Sequence, residues 1–382
     1  MSTNAKAETS VGSGLRHLLL SGEGWPYLLA PLIPVALVLE LTHAGATATF
    51  FASALGVIPT AALMGRATDE LASRAGPGIG GFLNVTFGNA PELIIALFAL
   101  NAGLHEVVKA SLVGSILGNI LLVLGASMFA GGARRDRQYF DRTAATVSSL
   151  MLLLAAVALI MPAIFQLVAG GGLPSPADRA VRFSRDLEVL SIGVSVVLLL
   201  SYAAGLLFSL RTHRDLFNPE HDEEDHAGES WSVRRSVTML AVAGVAVGLM
   251  SEVLVGSISE ASGNVGLSPF FVGIILVAIV GNAAEHWVAI YFARRNKMDL
   301  TVNIAVGSGA QIALFVAPAL VLVSFLVGPF PMPLVFNGFE LGGIFLAVLV
   351  GHVVTQKGES TWFEGLQLLA VYAVLGLTFY FV

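Results

Sequence analysis

The sequence predicts an all-α, polytopic membrane protein with eleven transmembrane helices. Of its 382 residues, 55% are hydrophobic and only 12% are charged, and the mean hydropathy of +0.81 lies outside the range of soluble globular domains. Glycines, prolines and charge clusters divide the chain into stretches near the ~20 apolar residues that a spanning helix requires. The short alternating segments of a membrane β-barrel do not occur in the sequence.

The predicted spans follow one another along the whole chain. They cover residues 25–43, 46–65, 78–101, 106–130, 143–168, 187–210, 236–257, 268–293, 301–328, 334–355 and 363–381.

The distribution of basic residues predicts the orientation of these spans. With the N-terminus in the cytoplasm, only four of the 20 Lys and Arg residues fall on the outer side of the membrane, namely Lys109, Arg179, Arg182 and Arg185. Residues 1–24 lack the basic and apolar regions of a signal peptide, so we expect a cytoplasmic tail. Because cysteine is absent, disulfides and thiol chemistry are excluded.

Two parts of the sequence repeat at an offset of 193 residues. Gly88, Asn89, Ala90 and Glu92 correspond to Gly281, Asn282, Ala283 and Glu285, and the block Val113–Ser115 corresponds to Val306–Ser308. Because the offset separates the third span from the eighth, an odd number of spans, the two copies must face opposite ways across the bilayer. Such inverted repeats are typical of secondary transporters.

The repeat predicts the organisation of the chain. We expect a cytoplasmic tail at 1–24, an additional first helix at 25–43, a five-helix repeat at 46–210, an acidic cytoplasmic linker at 211–235 and a second five-helix repeat at 236–382.

Each copy of the motif places one carboxylate inside a span. Glu92 lies in TFGNAPELIIALFAL and Glu285 in IVGNAAEHWVAI. An ionised carboxylate at this depth costs several kcal/mol unless it is paired or hydrated. No predicted span has a basic residue near its centre that could act as a structural partner. Two symmetry-related carboxylates therefore predict a shared cation site.

Oxygen-bearing side chains accompany both glutamates. Asn89 and Asn282 precede them by three residues and share their helix face, while Gly88, Pro91 and Gly281 are expected to loosen the helices and free backbone carbonyls. Further oxygens could come from Ser115, Ser308, Gln311 and Asn119, whose alternative role is helix packing.

An all-oxygen ligand set suits Ca²⁺ better than Mg²⁺, which retains its water, or zinc, which prefers His and Cys. His286 adjoins Glu285 but points about 100° around the helix, so we expect a supporting or proton-linked role. Burial and mutual repulsion favour protonation of the glutamates, whereas a divalent ion requires both to be ionised, so Ca²⁺ and protons should compete.

At these residues the sequence resembles the cation/proton exchanger branch of the calcium/cation antiporter superfamily. The matching segments are GFLNVTFGNAPELIIALFALNAGLHEVVKASLVGSILGNILLVLG and FFVGIILVAIVGNAAEHWVAIYFARRNKMDLTVNIAVGSGAQIALFV. The resemblance implies that Glu92 and Glu285 are the principal calcium ligands. It also implies that these two glutamates are surrounded by Asn89, Asn282, Ser115, Ser308 and Gln311.

The resemblance also implies which ion is exchanged and which helices move. Gly-Asn in both motifs, where sodium/calcium exchangers have a Gly-Thr-Ser type of motif, favours protons as the counter-ion. Spans two and seven would act as gating helices. Glu252 in span seven matches a recurrent acidic position and would line the access path, although snorkelling or packing explains it equally well.

Two acidic clusters have two explanations each. Glu220, Asp222, Glu223, Glu224 and Asp225 lie in the linker, which is either a solvated connection or a segment that attracts cytosolic cations. Asp69 and Glu70 lie at the cytoplasmic end of span two, where an ordinary helix terminus is expected and a role at the entrance is the alternative.

The sequence thus predicts an antiporter, not an enzyme, that exports cytosolic Ca²⁺ in exchange for protons by alternating access. The alternatives are sodium-coupled calcium exchange and, from another class, a cation channel. Its partners would be Ca²⁺, protons and the lipid bilayer, with a homo-oligomer left open. We expect no cofactor, nucleotide or nucleic acid, since the sequence contains no phosphate-binding loop, and we expect a prokaryotic inner membrane.

Overall fold

The computed structural model describes residues 24–213 and 231–382, apart from the side chains of residues 76–78 and 85. The described chain is predominantly helical, which confirms the all-α, polytopic class. Within these residues, nine helices are long and apolar enough to cross a membrane, and two shorter apolar helices accompany them. The predicted tail, except Gly24, and the acidic residues of the linker, Glu220, Asp222, Glu223, Glu224 and Asp225, lie outside the described residues.

The helices and strands are numbered in chain order. They are α1 Leu32–Leu41, α2 Ala46–Phe87, α3 Ala90–Asn101, α4 His105–Gly132, α5 Arg142–Val168, α6 Arg185–Thr212, α7 Val233–Val265, α8 Pro269–Arg294, α9 Met298–Val323, α10 Gly338–Thr355 and α11 Trp362–Tyr380. Two short strands, β1 Gln138–Tyr139 and β2 Glu359–Ser360, pair antiparallel with Gln138 opposite Ser360.

Side-chain caps explain where several of these helices begin. The side chains of Asp141, Ser184 and Ser232 accept hydrogen bonds from the first turns of α5, α6 and α7. Asn337 with Glu340 and Thr361 with Glu364 form capping boxes at the starts of α10 and α11. These caps satisfy backbone N–H groups that have no partner inside the helix.

The first predicted span, 25–43, is not one continuous helix. A 3₁₀ turn, Trp25–Leu29, precedes α1, which contains only 10 residues. Pro26 and Pro31 explain the difference, because a proline lacks the backbone N–H that would continue a helix and fits best at its start.

The second predicted span is longer than 46–65, because its helical backbone continues beyond residue 65. Within α2 the chain then folds back. In a straight helix residues eight apart are separated by about 12 Å along the axis. A β-carbon on Gly80 would instead lie 2.2 Å from the carbonyl oxygen of Ala72. The backbone therefore bends sharply between these residues, and Gly80 permits the close approach.

The third predicted span, 78–101, is interrupted at its motif. Gly88 and Asn89 form a turn between α2 and α3. Pro91 occupies the first turn of α3, where its missing N–H costs little. This break lies directly before Glu92.

The corresponding position in the second half is not interrupted. Gly281 and Asn282 lie inside the continuous helix α8, so the expectation that Gly281 loosens its helix is wrong. The position equivalent to Pro91 is Ala284, which retains its N–H and favours helix. The irregular part of α8 is instead a π-helical segment, Val272–Val277, one turn earlier.

Helix α4 occupies the centre of the protein. Every residue from His105 to Leu117 except Ser111 is buried. Near its start, Lys109 forms a buried ion pair with Glu106 and donates a hydrogen bond to the carbonyl of Val335 at 2.8 Å. Helices α6 and α11 are mostly exposed, as expected of helices that face lipid.

The strand pair β1 and β2 connects the two halves of the chain. Beside it, Arg137 donates hydrogen bonds to both carboxylate oxygens of Glu359 at 3.0 Å. These bonds stabilise the protonated guanidinium and so raise the pKa of Arg137 above its usual range.

Candidate cation site

The two motif glutamates meet between α3 and α8 in a reciprocal arrangement. A β-carbon on Gly88 would lie 3.8 Å from Oε1 of Glu285, and one on Gly281 would lie 3.6 Å from Oε1 of Glu92. Each glycine therefore lies against the glutamate of the other motif. This exchange of partners is the relation expected of two repeats about a pseudo-two-fold axis.

The two motif asparagines are buried and donate hydrogen bonds across the halves. Asn89 Nδ2 donates to Oε1 of Gln311 at 2.6 Å, and Asn282 Nδ2 donates to Oγ of Ser115 at 3.0 Å and to the carbonyl of Ala278 at 2.9 Å. The amide oxygens of both asparagines are buried and have no hydrogen-bond partner among the described residues. Because both amide nitrogens already donate hydrogen bonds, the unpartnered atom of each amide is its oxygen, which is an acceptor.

The two carboxylates have different surroundings. Glu285 Oε2 accepts a hydrogen bond from Oγ of Ser308 at 3.1 Å. Glu92 Oε2 is buried without a hydrogen-bond partner among the described residues. A small cavity of about 10 Å³, lined by Glu92, Ser111, Ser115 and Gly281 among others, lies beside it. This volume is close to the smallest that holds one water molecule.

The described residues contain no cluster of three or more His, Cys, Asp or Glu side chains suited to a metal ion. Any cation held here would therefore need oxygens from amides, hydroxyls or the backbone in addition to the two carboxylates. The unpartnered oxygens of Glu92, Asn89 and Asn282 supply that type of donor. Buried acceptors of this kind are costly unless a donor, water or cation satisfies them.

The structure brings most of the predicted site residues together. Ser115, Ser308 and Gln311 each contact a motif asparagine or glutamate. His286 is buried, and its Cε1 lies 3.9 Å from where a β-carbon on Gly118 would be. It therefore faces α4, and its supporting or proton-linked role stays a prediction.

Two other predicted residues lie apart from these contacts. Asn119 is buried, and neither polar atom of its side chain has a hydrogen-bond partner among the described residues. Glu252 lies on an exposed part of α7 and takes no part in the contacts above. Its place on an access path stays a prediction.

The sequence argument missed one residue near the site. Ser111 lines the cavity beside Glu92, and its position one helical turn before Ser115 was the available signal. The alternative role of Asp69 at the entrance stays a prediction.

Long apolar helices and two carboxylates on reciprocally packed motifs define this protein as a membrane protein of the ion-transport type. The chain belongs to the sodium/calcium exchanger protein family, which matches residues 45–211 and 235–381. These two matched ranges lie close to the predicted repeats, 46–210 and 236–382, and the division into repeats stays a prediction.

Relatives place the chain more narrowly within this family. It is 43% identical over 356 residues to the Ca²⁺/H⁺ antiporter ChaA of Bacillus subtilis (strain 168), covering 92% of this chain and 97% of the relative. It is 40% identical over 367 residues to a Ca²⁺/H⁺ antiporter of Aphanothece halophytica, covering 91% and 94%. The solved structure of native YfkE superposes with a TM-score of 0.79 at 38% identity, covering 94% of this chain and all of that one. The resemblance to the cation/proton exchanger branch is confirmed.

Proposed function

We propose that this protein is a secondary antiporter that exports Ca²⁺ from the cytoplasm in exchange for protons. The observation that carries the proposal is the meeting of Glu92 and Glu285 beside buried, unpartnered oxygens of Glu92, Asn89 and Asn282. Hard oxygen donors of this kind suit Ca²⁺. The names of the two relatives, both Ca²⁺/H⁺ antiporters, support the same pair of ions.

The proposed coupling follows from charge balance at the two glutamates. Bound Ca²⁺ requires both carboxylates to be ionised, so calcium binding and protonation exclude each other. A site with one Ca²⁺ or with two protons is neutral and can be enclosed, whereas an empty pair of carboxylates is costly to bury. Alternating access with only the neutral forms enclosed exchanges the ions without a leak.

The remaining site residues support the two carboxylates in this proposal. Asn89, Asn282, Ser115, Ser308, Gln311 and the backbone at Gly88 and Gly281 would supply or orient oxygens. The protein would lie in a prokaryotic inner membrane with its N-terminus in the cytoplasm, as the distribution of basic residues predicts. Bacterial relatives support this membrane.

The direct test is calcium uptake into proteoliposomes under an imposed pH gradient, and separately under a sodium gradient at constant pH. We expect uptake with the pH gradient alone, saturation with calcium, and loss of uptake in Glu92→Gln and in Glu285→Gln. Glu260→Gln is the matched control, because Glu260 is exposed on α7 and not among the site residues.

Each of the other possible results would contradict a different part of the proposal. Uptake that requires sodium would establish the sodium-coupled alternative. Single-channel currents without counter-transport would establish a channel. Unchanged uptake in both glutamine variants, with Glu260→Gln also unchanged, would place the ion elsewhere in the protein.

A further inference from the structure

A tryptophan joins the middle of α2 to the start of α7. Trp231 directly precedes the first turn of α7 and is 7% exposed. Its backbone N–H donates to Oε2 of Glu70 on α2 at 2.9 Å. A large aromatic side chain this buried at the end of a helix requires an explanation, because such positions are commonly exposed.

Two guanidinium groups lie over the indole ring. The Cζ atom of Arg66, on α2, is 5.1 Å from the ring centroid, and that of Arg235, on α7, is 4.7 Å from it. Both distances are within the range of cation–π attraction, for which tryptophan is the best partner. Since Arg66 and Glu70 are four residues apart, Trp231 contacts one face of α2 through two independent interactions.

The two helices are packed against each other beyond this contact. A β-carbon on Gly244 of α7 would lie 3.4 Å from Cε of Met64, and one on Gly56 of α2 would lie 2.9 Å from Sδ of Met250. Met64, Ala243 and Val247 also form an apolar cluster with Ala90, at the start of α3. The contact between α2 and α7 therefore extends from Trp231 to the residues beside Glu92.

We propose that Trp231 is a positioning residue for the cation site, because it fixes the depth and rotation of α2 against α7. The apolar cluster of Met64, Ala243, Val247 and Ala90 carries this effect to the site, because Ala90 lies two residues before Glu92. Turning or sliding α2 would move Met64 against Ala90 and so displace the start of α3. The effect on calcium rests on the proposed function, whereas the effect on helix position does not.

The helix position is tested with Trp231→Leu and Trp231→Phe. Leucine retains apolar bulk but has no π system, whereas phenylalanine retains a ring face, and both retain the N–H to Glu70. The chain has no cysteine, so spin labels can be attached to Ser73→Cys and Thr238→Cys, both at exposed positions on α2 and α7. We expect Trp231→Leu to shift or broaden the distance distribution and Trp231→Phe to leave it near that of the parent.

The link to the site is tested by a double-mutant cycle on the apparent calcium affinity of transport. Trp231→Leu and Met64→Ala should each weaken the affinity, and the double variant should be no weaker than the weaker single variant. Trp362→Leu, at the start of α11, is the control for loss of a tryptophan at a helix end and should leave both measurements unchanged.

Identical label distances in Trp231→Leu, Trp231→Phe and the parent would overturn the positioning role. A changed distance with additive effects on calcium would overturn the route through Met64 and Ala90. If the parent protein does not exchange calcium for protons, the proposed function fails, and the label distances still decide the role of Trp231 in holding α2.

Discussion

At the scale of single residues, the two halves of the site are related but not equivalent. The repeat pairs Ser115 with Ser308, yet Ser308 donates to a glutamate while Ser115 accepts from an asparagine. The hydroxyl of Ser308 stabilises the ionised form of Glu285, and no corresponding hydrogen bond supports Oε2 of Glu92. The two carboxylates therefore differ in the side-chain hydrogen bonds that they accept.

Replacement of Ser308 by alanine should weaken calcium binding in a manner that depends on pH. A hydrogen bond to a charged group contributes about 1.5 kcal/mol or more, which corresponds to roughly a tenfold loss of apparent affinity. Because the loss arises from easier protonation of Glu285, it should be largest at low pH and shrink as pH rises. The measurement is the calcium dependence of transport in proteoliposomes at several pH values.

The control for this variant is Ser201→Ala. Ser201 donates only to the carbonyl of Val197 in its own helix, at 2.9 Å, on an exposed part of α6, so its loss should not change the affinity. A tenfold loss in Ser308→Ala that stays constant across pH would contradict the argument. It would indicate that Ser308 contributes to calcium binding directly instead of through ionisation of Glu285.

The sequence contained most of the information about the site at this scale. One offset paired the glutamates, asparagines and serines, and the reciprocal contacts of Gly88 and Gly281 follow that pairing. The pairing could not show that Asn89 would bond to Gln311, because Gly118 occupies the equivalent position in the first half. Differences between repeats depend on packing of unrelated neighbours, which a repeat pattern does not contain.

At the scale of elements, the equivalent glycines Gly114 and Gly307 have unequal surroundings. A β-carbon on Gly114 of α4 would lie 1.9 Å from the carbonyl oxygen of Ile274 in α8, whereas one on Gly307 of α9 would lie 3.4 Å from Oδ1 of Asn303. The first contact is with the backbone of another helix and cannot be relieved by rotating a side chain. The second is with the end of a flexible side chain.

Alanine at these two glycines should therefore have opposite consequences for stability. Gly114→Ala should lower the stability by about 1–3 kcal/mol or more, because α4 and α8 must separate. Gly307→Ala should be neutral or slightly stabilising, since alanine favours helix by up to about 1 kcal/mol. The melting temperature in detergent, followed by intrinsic tryptophan fluorescence, measures both. Equal melting temperatures for the two variants would contradict the close packing of α4 on α8.

Element boundaries were predicted well where composition determines them and poorly where tertiary contacts do. The caps at Ser232 and Thr361 place α7 and α11 close to their predicted starts. The π-helical segments Gly118–Val123 and Ile312–Val316 were not predicted, although they occupy equivalent positions in the two repeats. In a π-helix each backbone hydrogen bond spans five residues instead of four. No characteristic residue marks this change in the sequence, as a proline or a capping side chain marks the end of a helix.

At the scale of the whole molecule, the candidate site depends on both halves of the chain. Glu92 and Asn89 come from the first half, whereas Glu285 and Ser308 come from the second, and their carboxylates lie together without an intervening basic side chain among the contacts described above. In the absence of a cation the like charges oppose this approach. A bound divalent ion would reverse the sign of that contribution and hold α3 against α8.

Calcium should therefore raise the thermal stability of the protein in detergent. A ligand at 100 times its Kd contributes about 2.7 kcal/mol when it binds only the folded state. The increase in Tm should be lost in Glu92→Gln and in Glu285→Gln but retained in Glu260→Gln. It should also diminish as pH falls, since protons then occupy the carboxylates that calcium requires. Because this measurement needs no membrane gradient, it separates ion binding from transport. Equal stabilisation by calcium in the parent and in both glutamine variants would remove the paired glutamates from the binding site.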